Sequence, residues 1–98
     1  MSGVKFDKNK PRMDLLPMDA LLEIAKVLGF GAGKYGDRNW ELGMDFNRLR
    51  AAQMRHDAAV MMGEPIDPES GITHKAHKAC DALMELALYL RGLDKPNA

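Results

Sequence analysis

The sequence predicts an all-α protein: a small bundle of about three helices behind an extended N-terminal arm, completed by oligomerisation. Apolar residues recur at spacings of three and four in three separate stretches, which is the pattern of amphipathic helices. Glycines and prolines, the residues that interrupt helices, gather between those stretches. The last stretch is apolar nearly all round, more than two neighbouring helices can cover. With 98 residues there is room for one domain, 1–98, read as a basic arm (1–13), a helical core (14–92) and a short tail (93–98).

Residues 1–13 carry Lys5, Lys8, Lys10 and Arg12 against Asp7 alone, with Pro11 and little periodicity. They read either as a solvated end or as a basic arm laid over an anion site. From Leu15 the register turns helical: Met18, Leu21, Leu22, Ala25 and Leu28 recur at helical spacing, and Pro17 suits a first turn. The first helix is expected over about 17–28. Glycines at 29, 31, 33 and 36 then either end it or let the backbone approach another segment closely. No GxxxxGK[ST] pattern occurs, which excludes a P-loop. Lys34 and Tyr35 are candidate phosphate-site residues; the plainer alternative is a solvated lysine beside a packed tyrosine. Trp40 reads as a core or interface anchor, because a large ring contributes much burial.

The second helix is expected to start after Asp45, a good N-cap, and to run to Met62 with Gly63 as its stop. Phe46, Leu49, Ala52, His56, Ala59 and Val60 fall on one face, so His56 points inward. The loop GEPIDPESGI holds two prolines and two glycines and cannot be helical throughout; it carries Glu64, Asp67 and Glu69. Thr73 caps the third helix, expected to run to about Arg91 before Gly92 and Pro96 end the ordered part. From Leu83 to Leu90 this helix is apolar on every side apart from Glu85, and a second subunit is expected to cover part of it.

Composition removes several classes of function. Fourteen basic residues balance fourteen acidic ones, so no strong attraction for a nucleic-acid polymer or an anionic membrane is expected, and any anion recognition is local. Cys80 is the single cysteine, which rules out an intrachain disulfide and suits a reduced, cytoplasmic setting. The longest apolar run, near 82–90, is about half of the ~20 residues a membrane span needs. No signal peptide is visible at Met1. Eight methionines suit an adaptable core or interface.

The stretch from Arg55 to Asp81 holds all three histidines and five acidic residues. His74, His77 and Asp81 are spaced three and four apart and project from one helix face. Two histidines so spaced can reach one metal ion, and His56 can approach from the facing helix. We therefore expect His56, His74, His77 and Asp81 to hold a divalent cation: manganese, cobalt, zinc or magnesium, the last least suited to imidazole. Glu64 and Asp67 are the candidate catalytic carboxylates, beside a site able to polarise phosphate and generate hydroxide. Arg55 is the candidate phosphate clamp, since a guanidinium matches phosphate oxygens bidentately; Lys10, Arg12, Lys34 and Tyr35 complete the phosphate-binding set. Plainer alternatives stand beside each: hydrogen-bonded histidines without metal, Asp81 paired with Lys75 or Lys78, Arg55 bridged to the acidic loop, and the loop itself a solvated turn. Cys80, on the apolar stripe, reads as core, and Ser70 lies in no GxSxG elbow.

The segments KFDKNKPRMDLLP, FGAGKYGDRNW and RHDAAVMMGEPIDPESGITHKAHKACDAL, in this order, resemble the phage and prophage family of dATP/dGTP diphosphohydrolase N-terminal domains, from Lys5 to about Leu90. The resemblance implies a viral protein of the bacterial cytoplasm that acts on purine deoxynucleotides. It puts family motifs on Lys5, Asp7, Lys10, Arg12, Lys34, Tyr35 and Trp40, and on Arg55, His56, Glu64, Asp67, Ser70, Gly71, His74 and His77. Two other nucleotide-hydrolase patterns fit less well. His56-Asp57 and Asp81 look like the later ligands of HD-domain phosphohydrolases, but no earlier histidine exists. Glu64 and Asp67 have the ExxD spacing of MazG-type enzymes, but Gly63 and Pro65 put them on a loop, without an ExxE partner. The leading expectation is a metal-dependent dATP/dGTP diphosphohydrolase that releases a deoxynucleoside monophosphate and pyrophosphate. The alternative is a non-catalytic viral protein that sequesters an immune signalling nucleotide between subunits.

Overall fold

A computed structural model describes residues 8–94. Three α-helices account for most of them: α1 (Met18–Tyr35), α2 (Phe46–Met61) and α3 (His74–Leu90). Single 3-10 turns at Met13–Leu15 and Asn39–Leu42 precede α1 and α2, and no strand forms among the described residues. The all-α, three-helix expectation therefore holds. Of the expected basic arm, residues 1–7 lie outside the described part; residues 8–12 are exposed and non-helical.

Local rules explain where α2 and α3 begin. The Asp45 carboxylate accepts from the Asn47 N–H at 2.9 Å, and the Thr73 hydroxyl accepts from the Ala76 N–H at 3.1 Å. Each cap satisfies an amide that the helix leaves unpaired, worth about 1 kcal/mol. Gly63 and Gly92, at φ +91° and +71°, turn the chain out of α2 and α3 in a conformation open to glycine.

The first helix departs from expectation. It continues through Gly29, Gly31 and Gly33 to Tyr35 and stops at Gly36, whose N–H reaches the Ala32 carbonyl at 2.8 Å. Each interior glycine costs about 1 kcal/mol relative to alanine. The extension is held by contacts far along the chain: the Phe30 ring meets His77 edge-on, with centroids 6.3 Å apart, and Lys34 Nζ lies 2.8 Å from Glu69 Oε1. Nor do these glycines serve a close approach, since a Cβ built at any of the three has no neighbour within 4 Å.

Helix α3 is the centre of the molecule. Both α1 and α2 pack against it, α2 the more extensively. Val27 of α1 meets Ala76 and Cys80 of α3 in the buried core, with Ile24, Leu28, Ile72 and Met84 around them. Leu49 of α2 and Leu88 of α3 are buried as well. Trp40 sits half-buried beneath Arg91, whose guanidinium lies 5.5 Å from the ring centroid and bonds Glu41 at 3.2 Å, so the second 3-10 turn is fastened to the end of α3. The outer side of α3 is left open: Leu83, Leu86, Tyr89 and Leu90 are exposed. Among the described residues, no helix is long and apolar enough to cross a membrane.

Candidate functional site

The three histidines meet at the N-terminal end of α3. His74 and His77 lie one turn apart on α3, both buried, and His56 comes across from α2. The His56 and His77 rings stack at 4.9 Å with a 13° tilt, and the His56 and His74 Nδ1 atoms are 2.9 Å apart. The loop between α2 and α3 folds back over this cluster. Its backbone closes through Asp67 N–H to Ile72 C=O at 2.9 Å and His74 N–H to Pro65 C=O at 3.0 Å, with Gly71 at φ +74°.

Each loop acid then has a place. Glu64 Oε2 accepts from His74 Nε2 at 2.8 Å. Asp67 Oδ2 accepts from the Ser70 hydroxyl at 2.7 Å and the Ser70 N–H at 3.1 Å, and lies 3.4 Å from His77 Nε2. Ser70 Oγ is also 2.6 Å from His77 Nε2 and accepts from the Ile72 N–H at 3.1 Å. Glu69 pairs with Lys34, whose Nζ also lies 5.3 Å from the Tyr35 ring centroid. The loop is thus closed by hydrogen bonds, although most of its residues, Glu64 and Glu69 among them, stay exposed to solvent.

Burial dominates the electrostatics. It lowers the pKa of both His56 and His77, assisted for His56 by the other two imidazoles, so these rings favour the neutral form. Burial works to raise the Asp67 pKa, but the Ser70 hydroxyl and backbone hydrogen bonds more than offset it, and the carboxyl titrates below its ordinary value. Asp81 shows the opposite balance. Burial pushes its pKa up to about 6 against the pull of Arg55, and its Oδ2 is buried with no hydrogen-bond partner.

Not every expected member joins the cluster. The imidazoles of His56, His74 and His77 come together, but they face one another and the loop acids. Among the described residues, no three histidine, cysteine, aspartate or glutamate side chains are grouped to hold a metal ion. This arrangement does not fit the four-residue shell of His56, His74, His77 and Asp81. Lys78 pairs with Asp57 of α2 at 2.9 Å and not with Asp81. Lys34 is ion-paired but still exposed, as a solvated lysine would be, whereas Tyr35 is exposed and not packed. Arg55 is exposed and makes no ion pair among the described residues, so the bridge to the acidic loop does not form. Arg12 is held bidentately by Asp14 at 2.8 Å, and no hydrogen bond ties Lys10 to the cluster. Lys5 and Asp7 lie outside the described residues.

Three residues take roles in the fold that their positions in the sequence did not assign. Ser70 links Asp67 to His77, Glu69 anchors Lys34, and Phe30 walls His77. The DPES turn was the available signal for Ser70, since an aspartate three residues before a serine favours a side-chain-closed turn. Cys80 is fully buried, with its thiol pushed up to about 12, and is chemically inert core as expected.

Residues 1–96 match the model of the family described as dATP/dGTP diphosphohydrolase, N-terminal. A curated relative, the dATP/dGTP diphosphohydrolase of Salmonella phage PMBT28, is 38% identical over 79 residues, which cover 81% of this chain and 27% of that protein. The chain thus spans about a quarter of that relative's length. No solved structure matches it.

Proposed function

We propose, from the premise that the chain belongs to the dATP/dGTP diphosphohydrolase N-terminal family, that it binds a purine deoxynucleoside triphosphate at the histidine cluster and hydrolyses it to the monophosphate and pyrophosphate. The observation that supports this best is the convergence of three elements on one spot: His74 and His77 from α3 and Lys34 from α1, bonded to the loop directly, and His56 from α2, bonded to His74. Neutral imidazoles are suited to accept a proton from water near pH 7. The acids Glu64, Asp67 and Glu69 outnumber Lys34 and Arg55 here, so the nucleotide arrives as its complex with a divalent cation. Carboxylates then meet the manganese, cobalt, zinc or magnesium of the substrate, while Lys34 and Arg55 meet phosphate oxygens. Tyr35, exposed beside Lys34, offers a face for the base. Arg12 joins only by giving up Asp14, with Lys10 beside it. The bacterial host cytoplasm is the setting in which such a phage-type enzyme would meet its substrate.

A partner copy belongs to the same reading. Ala79, Leu83, Leu86 and Leu90 follow the four-three spacing of a coiled-coil seam on the open side of α3, with Leu86 and Leu90 exposed by 54% and 73%. The seam is nearly palindromic about Leu86, so an antiparallel second copy sets Leu83 against Leu90 and Leu86 against its own counterpart. The chain exposes 7664 Å², about 2,000 Å² more than a compact chain of its mass. A stable subunit interface of standard size removes about 800 Å² of this from each partner.

A second reading, capture of a nucleotide without hydrolysis, is favoured by one observation: each imidazole already spends at least one ring nitrogen on an internal hydrogen bond, and His74 spends both. One experiment separates the two. Purified protein is mixed with dATP, dGTP and cyclic dinucleotides, with and without manganese, cobalt, zinc and magnesium, and both product and heat of binding are followed. Metal-dependent release of monophosphate and pyrophosphate, lost in His77→Ala, supports the enzyme. Tight binding with intact ligand recovered supports capture, and absence of any binding defeats both.

A further inference from the structure

The hydrogen bonds around the imidazoles have a direction, and that direction decides which ring nitrogen keeps a free lone pair. Glu64 Oε2 lies 2.8 Å from His74 Nε2, and a carboxylate only accepts, so the His74 proton sits on Nε2. Carrying that one proton, the His74 ring accepts at Nδ1. The proton in the 2.9 Å contact between the two Nδ1 atoms therefore belongs to His56. His56 is left with an unprotonated Nε2, and hydrogen bonds among the described residues use its Nδ1 alone.

The same reasoning settles the second arm. The Ser70 hydroxyl has one proton and two acceptors within reach, Asp67 Oδ2 at 2.7 Å and His77 Nε2 at 2.6 Å. Asp67 can only accept, so Ser70 donates to it and His77 donates its Nε2–H to Ser70 Oγ. The Ile72 N–H fills the remaining lone pair of that oxygen. Ser70 is thereby spent as a structural hub and is no nucleophile. His77 keeps a bare Nδ1 as well, but it is buried where His56 is half-exposed, and the His56 ring stacks on it at 4.9 Å.

We propose that Glu64, His74 and His56 form a carboxylate–imidazole–imidazole relay that makes His56 Nε2 the general base of this site. The proposal rests on the hydrolytic reading above. A water oxygen bonds to the attacked phosphorus as the bond from phosphorus to the pyrophosphate oxygen breaks. The water proton moves to His56 Nε2, and the imidazolium so formed keeps its Nδ1–H on His74, whose Nε2–H stays on Glu64. After pyrophosphate leaves, His56 returns the proton to solvent. His56 is the catalytic residue in this scheme, and His74 and Glu64 are positioning residues that fix its tautomer and support its charge, as the acid does in a serine–histidine–aspartate triad.

The test begins without substrate. Long-range proton–nitrogen correlation spectra of histidine-labelled protein at pH 8 report each tautomer. The relay requires Nδ1–H on His56 with Nε2 bare, and Nε2–H on both His74 and His77. A His56 ring carrying its proton on Nε2 overturns it. In Glu64→Ala, His56 is expected to become a mixture of tautomers while His77 and the backbone spectrum stay unchanged; a His56 signal identical to wild type removes Glu64 from the relay. With manganese and dATP, the same variant is expected to lose about 10- to 100-fold in kcat, less than the ~10²–10⁴-fold of removing the general base itself, beside any rise in KM from the lost cation contact. The expected tautomers without turnover of dATP or dGTP refute hydrolysis and the general-base role together, whereas wrong tautomers with turnover refute the relay alone.

Discussion

Replacing Asp81 by asparagine is expected to stabilise this protein at pH 8. The side chain lies between α3 and its surroundings with Oδ2 buried and unpartnered, and its pKa is raised from 3.8 to about 6 by burial first, with Arg55 only partly compensating. A carboxyl whose folded pKa lies above its unfolded value contributes full stability below the unfolded value and loses it as pH rises through the folded one. The penalty therefore grows from about pH 4 to pH 6 and is constant above. Two units correspond to about 3 kcal/mol, and partial solvent access reduces this to about 1–2 kcal/mol. For a domain of this size, that is roughly 5–15 °C in Tm. Thermal unfolding of both proteins at pH 3.5, 5 and 8 tests the claim, because the histidines are common to both and cancel. The difference should be near zero at pH 3.5 and largest at pH 8. An Asp81→Asn protein no more stable than wild type at pH 8 refutes the reasoning. Loss of stability seen only with manganese present would restore Asp81 as a metal ligand.

Further expectations follow from other parts of the fold. Ser70→Ala removes the hub between Asp67, His77 and the Ile72 amide and should cost about 1–3 kcal/mol, with faster hydrogen exchange at Ile72. Gly29→Ala should add about 0.5–1 kcal/mol by urea unfolding, because its helical backbone has nothing near the added methyl. Leu86→Glu, at the centre of the open seam, should give a folded monomer by sedimentation; an unchanged assembly moves the interface elsewhere. The depressed pKa values of His56 and His77 predict an acid limb: their contribution is intact above about pH 6.5 and is lost as pH falls through the lowered folded values. Stability of the Asp81→Asn variant, where the Asp81 contribution is gone, that is flat from pH 7 to pH 5 contradicts this.

Features governed by a few neighbouring residues were legible in the sequence. Asp45 and Thr73 announced the starts of α2 and α3, Gly63 and Gly92 their ends, and the three-residue spacing put His74 and His77 on one face. What depended on distant contacts was not. The glycines of α1 argued for an early end, and only Phe30 on His77 and Lys34 on Glu69, 35 residues later, hold that helix together. Lys78 had Asp81 at a favourable helical spacing and chose Asp57 across the helix pair, a choice set by interhelical distance. Ser70 gained its role only when the loop closed over α3. The metal shell expected from the histidines was inferred from residue type; the folded arrangement turns those rings toward one another and toward Glu64 and Ser70, which is a matter of side-chain direction that spacing does not encode.

The central claim is that the histidine cluster under the loop is the nucleotide site. Titrating isotope-labelled protein with dATP and dGTP, each with one equivalent of magnesium, and following amide and imidazole shifts tests it most directly. The account requires the largest changes at Lys34, His56, Glu64, Ser70, His74 and His77. Changes confined to residues 8–14, or spread without focus along the outer face of α3, contradict it.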